Sequence, residues 1–266
     1  MTPDAVADTV GQGAPVVVLS PHTDDAVLSC GALMAHARQQ VPVTVLTLFT
    51  NGTPPPYTLS GRRCLRLAGM QDAEQLYAAR RAEDREVLEA MGVTWQHAGF
   101  TDGLFRRKTA GSRRASRLLP ERDHVYPTYR AHLAAGRISR HDDGLLRDVA
   151  RIVRTLGAPS SPGGSGPLIL APLAVGGHAD HLLVRTAAEL SGRRVVYYAD
   201  FPYDRRDVPD AAFVQRNSLG RPVAWTLGLQ AKAASVLGYR TQAQAMFPGG
   251  QVPLVPEFYL FPGDSS

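Results

Sequence analysis

Val16-Val17-Val18-Leu19-Ser20-Pro21-His22-Thr23-Asp24-Asp25-Ala26-Val27-Leu28-Ser29-Cys30-Gly31 decides how the chain folds. The opening β-branched and apolar residues have the composition of a buried strand, and Pro21 halts it. A helical pattern follows, with Val27, Leu28, Gly31 and Met34 on one side. His22, Asp24 and Asp25 therefore fall at a strand's carboxyl end, the edge at which open α/β sheets bind ligands. One imidazole and two carboxylates within four residues invite a metal. Far along the chain, Gly176-Gly177-His178-Ala179-Asp180-His181 follows a second strand-like run, Leu168-Ile169-Leu170-Ala171. Two strand ends thus direct three histidines and three aspartates towards one site.

Working outward, strand and helix patterns alternate. Val41 to Phe49 is apolar and β-branched almost throughout, as in a parallel strand covered on both faces. Thr50 to Asp72, with Asn51-Gly52 and Pro54-Pro55-Pro56, carries the turn chemistry of a loop. Ala73 to Met91 predicts a helix closed by Gly92, whose polar face holds Arg80, Arg81, Glu83 and Asp84 at spacings suited to solvated ion pairs. Val93 to Phe100 predicts a strand ending at Thr101-Asp102-Gly103, and Leu104 to His141 lacks a sustained period and reads as a partly helical insertion over the pocket. Asp142 to Leu156 predicts a helix capped by Asp142 or Asp143, and Ala158 to Pro167 a surface connector. Beyond the helix to Leu190 come strands at Arg194–Asp200 and Val223–Leu227, a helix over about Gln230–Met246 and a terminal strand at Glu257–Phe261. The pattern predicts an α/β fold with a mostly parallel sheet, and one domain over 1–266 with the insertion at about 104–141.

A chain of 266 residues buries an ample core without staples. Cys30 and Cys64 read as two free thiols. Neither a leader-like N-terminus nor an apolar run of about 18 residues is present, so a cytoplasmic protein with no membrane span is expected. The net charge of +5 is uneven: Arg106, Arg107, Lys108, Arg113, Arg114, Arg117 and Arg122 stand against Glu121 alone in the segment 106–122. A solvated loop or a contact with an anion accounts for that run, and the lack of interleaved aromatic residues argues against nucleic acid.

Zinc takes imidazole and carboxylate ligands and, in catalytic sites, leaves a position open for water. His22, Asp25 and His181 supply such a set, with other divalent metals compatible with it. Hydrolysis of an amide further needs a base and an acid. Asp24 suits the base, His178 the acid or a cationic stabiliser of the oxyanion, and Asp180 a hydrogen-bond partner that fixes the His178 tautomer. The plainer alternatives make Asp24 and Asp25 helix caps and His178 and His181 surface residues. Gly163-Gly164-Ser165-Gly166-Pro167 does not fit a nucleophile elbow, and no phosphate-binding glycine pattern follows a strand. His36, His97, His124, His132 and His141 lack comparable neighbours and read as structural or solvated.

Pro21-His22-Thr23-Asp24-Asp25 together with His178-Ala179-Asp180-His181 resembles the zinc-dependent N-acetylglucosaminyl deacetylases of the PIG-L/LmbE-like family. Arg80 to Glu83, Asp102-Gly103, Phe201-Pro202-Tyr203 and Lys232 to Gln242 add to the likeness. The resemblance implies a Rossmann-like fold and removal of an acyl group, usually acetyl, from the amine of a sugar or sugar-like compound. By position it implies His22, Asp25 and His181 as metal ligands, Asp24 as base and His178 as acid or oxyanion stabiliser. Arg80 or Arg81, Asp102 and Tyr203 become candidates for substrate contact. Where thiol-sugar deacetylases of the family carry a tyrosine, this chain has Gly176, and Tyr203 or Tyr57 is the candidate substitute. The expected activity is deacylation of an N-acyl amino sugar or glycoconjugate. An amidase acting on a thiol conjugate or specialised metabolite, and a metal-stabilised module binding an anionic partner, are the alternatives.

Overall fold

The computed structural model describes residues 13–108, 119–156 and 166–263. Its centre is a seven-stranded sheet in the order β3-β2-β1-β4-β5-β7-β6. The strands are β1 (Val16–Ser20), β2 (Val43–Asn51), β3 (Thr94–Thr101), β4 (Leu168–Pro172), β5 (Val195–Tyr198), β6 (Val223–Trp225) and β7 (Glu257–Leu260). The first five run parallel, while β7 runs antiparallel to both β5 and β6. Val16 is in register with Val43 on one side and Leu168 on the other. β1 and β4 are buried along their whole lengths, as their unbroken apolar runs require.

Helices cover both faces. α1 (Asp25–Ala37), α3 (Ala73–Ala90) and α7 (Leu229–Val236) close one side over Val18, Val45, Leu170 and Tyr198. α4 (Asp143–Leu156), α5 (Ala179–Leu190) and α6 (Ala211–Arg216) close the other over Val17, Leu19, Ile169 and Tyr197. A third apolar cluster, with Tyr57, Leu65, Tyr77, Phe105, Tyr126 and Leu133, packs parts of the 104–141 segment against α2 (Leu59–Leu67) and α3.

Several local expectations change. The stretch 50–72 contains α2, because Thr58 accepts the Gly61 N–H at 3.1 Å and starts a helix once the prolines are passed. The helix expected over 230–246 divides into α7 and α8 (Arg240–Met246). Between them Gly238 passes so close to α3 that a Cβ there would lie 2.5 Å from Val87. The polar face of α3 is not a solvated ion-pair ladder: Glu83 and Asp84 are buried. Asp84 accepts from Thr47 Oγ1 (2.9 Å), His97 Nε2 (2.9 Å) and Tyr239 Oη (2.8 Å), while Glu83 accepts the Thr241 N–H at 3.2 Å and its hydroxyl at 2.7 Å. Asp142, expected as a cap of α4, instead accepts from Arg106 and from Tyr126 Oη at 2.8 Å. The connector expected at 158–167 lies mostly outside the described residues.

Candidate active site

From β1 the chain proceeds outward to β2 and β3, and later returns to lay β4 on the other side of β1. Adjacent strands whose connections leave in opposite directions open a crevice at their carboxyl ends. The two polar motifs meet there. Ser20 fixes the first turn, donating to the His22 carbonyl at 2.6 Å and accepting the Ala26 N–H at 2.9 Å. The second turn is tight, with positive φ at Ala174, Gly176 and Gly177. Gly176 lies under the Tyr203 ring, which would be 3.0 Å from any Cβ at that position. A tyrosine ring therefore reaches this place from the β5 end of the sheet.

His22, Asp25 and His181 converge. His22 Nδ1 and His181 Nε2 each lie 3.2 Å from Asp25 Oδ2, which also accepts the His22 backbone N–H at 2.8 Å. Against burial, the Asp25 and Asp200 carboxylates raise the His181 pKa to about 10, and Asp102, Asp180 and Asp25 raise that of His22. Those two imidazoles in turn hold Asp25 well below the usual carboxylate range despite its burial. Protons here stand where a divalent cation would, since metal binding displaces them from the same donors. The three ligand atoms lie within 4.8 Å of one another, so the donor set and spacing fit one metal ion. His181 Nδ1 is held 2.6 Å from Asp200 Oδ1, the carboxylate partner that orients a metal-binding imidazole. Asp200, at the end of β5, is not among the residues that the sequence motifs single out; its signal is a carboxylate at a strand end, like Asp102.

Asp24 is buried next to this group and makes no capping bond to α1. Burial, then the neighbouring Asp25 charge, push its pKa up to about 6, against the pull of Arg80 and His22. Gln242, whose amide helps offset this rise, accepts from Thr23 Oγ1 at 3.0 Å, and Glu83 anchors the adjacent Thr241. His178 is buried as well. Its Nδ1 accepts the Asp180 N–H at 3.2 Å, which leaves Nε2 to carry the proton of a neutral ring. Burial, then the His22 charge, push its pKa down to about 3, which favours the neutral ring.

Asp180 reaches His178 through its backbone, not through its carboxylate. The carboxylate accepts from Arg106 and from the Gly103 N–H at 2.8 Å, and sits 3.2 Å from His22 Nε2. Arg106, which the sequence places at the head of a basic run read as a solvated loop or an anion contact, is buried between Asp180 and Asp142 and stacks over Phe49. Arg113, Arg114 and Arg117 lie outside the described residues. Asp102 accepts the Leu104 N–H at 2.7 Å and stands 3.4 Å from His22 Nε2.

A cavity of about 730 Å³ opens over these groups. One wall comes from Ser60, Arg63, Cys64, Leu67, Tyr129, Arg130 and Leu133, the other from Phe201, Tyr203, Thr241, Gln242, Ala245 and Met246. Arg80 lines it. Arg81 turns away, donating to the Thr50 carbonyl (2.8 Å), Asn51 Oδ1 (2.7 Å) and Glu74 (2.9 Å). Tyr57 also stays out, its hydroxyl taken by the Ala73 N–H at 3.0 Å. Tyr129, which no sequence motif marks, faces the cavity beside Tyr203.

Residues 17–190 match the PIG-L family model, described as GlcNAc-PI de-N-acetylase. The chain belongs to this family. The 2'-N-acetylparomamine deacetylase of Streptomyces fradiae is 31% identical over 211 residues, covering 77% of this chain and 63% of that protein. This chain's match therefore spans less than two thirds of the relative's length. Among solved structures, a deacetylase in complex with teicoplanin superposes with a TM-score of 0.70 at 24% identity, covering 94% of this chain and 100% of that one. The deacetylase of A40926 pseudoaglycone gives 0.66 at 23% identity, covering 94% and 97%. These likenesses agree with the α/β fold described above. No helix among the described residues is long and apolar enough to cross a membrane.

Proposed function

We propose that this PIG-L family member is a zinc-dependent hydrolase that removes an acetyl group from the amine of an N-acetylated amino sugar within a glycoconjugate. The observation that carries it is Asp24, a buried carboxylate with a raised pKa, beside the ligand group but not needed to complete it. A metal-stabilised binding module has no use for such a group. A hydrolase does. The Streptomyces fradiae relative is a deacetylase of an N-acetylated amino sugar, and a teicoplanin deacetylase of similar fold has been solved in a zinc-inhibited form. The first supports the activity, and the second supports zinc as an ion that such a site binds.

His22, Asp25 and His181 would hold the metal, which when bound supplies Lewis acidity towards water and the amide carbonyl. Asp24 takes a proton from the attacking water as its oxygen bonds to the carbonyl carbon. The neutral His178 donates a hydrogen bond from Nε2 to the oxyanion that forms, and the nearby Tyr203 or Tyr129 hydroxyl adds a second. Asp24 then returns its proton to the nitrogen, the C–N bond breaks, and the products leave as acetate and the ammonium form of the amine, the remaining proton of the attacking water passing to the amine. Arg80, Asp102 and Tyr203 contact the sugar, and the 104–141 segment serves as a cavity wall within one catalytic domain. The free thiols Cys30 and Cys64 support a reducing, cytoplasmic setting.

The test is acetate release from N-acetylglucosamine glycosides, with metal content measured on the same sample. Release that stops on chelation and returns with zinc is expected. Stoichiometric zinc without release from any N-acetylated sugar would contradict the proposal.

A further inference from the structure

His22 and His181 each turn one ring nitrogen towards Asp25 and the other towards a further carboxylate. For His181 that partner is Asp200. For His22 it is Asp180, whose Oδ2 lies 3.2 Å from Nε2 and also accepts the Gly103 N–H at 2.8 Å. A carboxylate on the far nitrogen of a metal-binding imidazole orients the ring, and it does so to the extent that it is itself held in place. The remaining oxygen of Asp180, Oδ1, is held by Arg106.

Every nitrogen of the Arg106 guanidinium is used. Nε donates to the Thr101 carbonyl at 3.0 Å, one terminal nitrogen donates to Asp142 Oδ2 at 2.6 Å, and the other donates to Asp180. The central carbon of the group stands 4.9 Å from the centre of the Phe49 ring and 5.8 Å from that of Tyr126. Asp142 is fixed in turn by Tyr126 Oη, which donates to it at 2.8 Å and accepts the Ser139 N–H at 3.0 Å. Three acceptors from three parts of the chain thus meet one planar fork, a match that the single ammonium of lysine does not offer. Arg106 is buried and does not line the cavity, so the deacetylation steps make no use of it. Stability does not account for it either, because a buried ion pair gains little over apolar side chains of equal volume.

We propose that Arg106 is a positioning residue of the metal centre, holding Asp180 against His22 while Asp142 and Tyr126 hold Arg106. This rests on the reading of His22, Asp25 and His181 as a zinc site. It gives the 104–141 segment, which contributes Arg106 and Tyr126, a part in the metal centre besides its place in the cavity wall.

Zinc affinities of R106M, R106K, D180N and R106M/D180N, measured against wild type by competition with a chromophoric chelator, test it without any substrate. R106M should bind zinc about 10- to 100-fold more weakly. Loss of a nearby cation would by charge alone tighten zinc binding, so a fall reports lost positioning. R106K, with one point of contact, should lie between R106M and wild type. The double variant should be no weaker than the weaker single one, because both changes break the same link. R107Q, whose arginine turns to the Pro54 and Pro56 carbonyls, should match wild type. A folded R106M with unchanged or tighter zinc binding overturns the inference, as do losses that multiply in the double variant. Where R106M does not fold, R106K and R106K/D180N are read in the same way. Wild-type protein that takes up no zinc fails the metal reading and the inference with it. Zinc binding without acetate release fails the deacetylase reading alone, and the affinities still decide the role of Arg106.

Discussion

His181 owes its geometry to Asp200. With Nδ1 held at 2.6 Å by that carboxylate, Nε2 is presented to Asp25 and to any cation placed between them. Asp200→Asn keeps an oxygen for the Val175 N–H, which Asp200 accepts at 2.9 Å, but removes the charge. Zinc affinity of that variant, measured by competition with a chromophoric chelator, should fall about 10- to 100-fold while the fold is retained. Unchanged affinity would show that Asp200 is structural only. At this scale the sequence displays His22, Asp24, Asp25, His178 and His181 openly, because they cluster beside strand ends. Asp200, Arg106 and Gln242 stay hidden for different reasons. A lone carboxylate after a strand resembles any loop residue, Arg106 is masked by the basic run around it, and Gln242 lines the cavity from α8, whose start Glu83 anchors across the chain.

Among the elements, α1 depends on a contact from the far end of the chain. Glu257, the first residue of β7, is buried and accepts the Ala32 N–H (2.8 Å), the Leu33 N–H (3.0 Å) and Tyr259 Oη (2.9 Å). It also pairs with the buried Lys232 of α7 at 3.1 Å. Glu257→Ala would leave an ammonium and two helix amides without their partner inside the core. The expected cost is about 3–5 kcal/mol, read as a lower denaturant midpoint. A K232M/E257M double variant should recover most of it, and a loss in E257A below about 1 kcal/mol would contradict this account of the pair. The apolar periods of α1, α3 and α4 make these helices legible in the sequence. The break between α7 and α8 is not, since Gly238 reads as one tolerated glycine until the Val87 side chain across the gap is known. α2 is missed because the prolines just before it dominate a local reading, whereas Thr58 supplies the start.

For the whole molecule, the decisive fact is that β1 and β4, separated by nearly 150 residues of sequence, are neighbours in the sheet. Alternating strands and helices predict the α/β class, and two polar motifs after two strands predict that a site exists. The strand order, which no local pattern encodes, turns those motifs into one cluster at the switch point. The antiparallel β7 then lets the C-terminal helices supply a cavity wall opposite α2 and the Tyr129–Leu133 turn. In the proposed reaction Asp24 acts on water beside a metal it does not hold. The decisive experiment is to purify Asp24→Asn and measure zinc stoichiometry and acetate release on one sample. Full zinc occupancy with kcat lowered about 100- to 10,000-fold is expected. Undiminished acetate release, or a variant that no longer binds zinc, would contradict it.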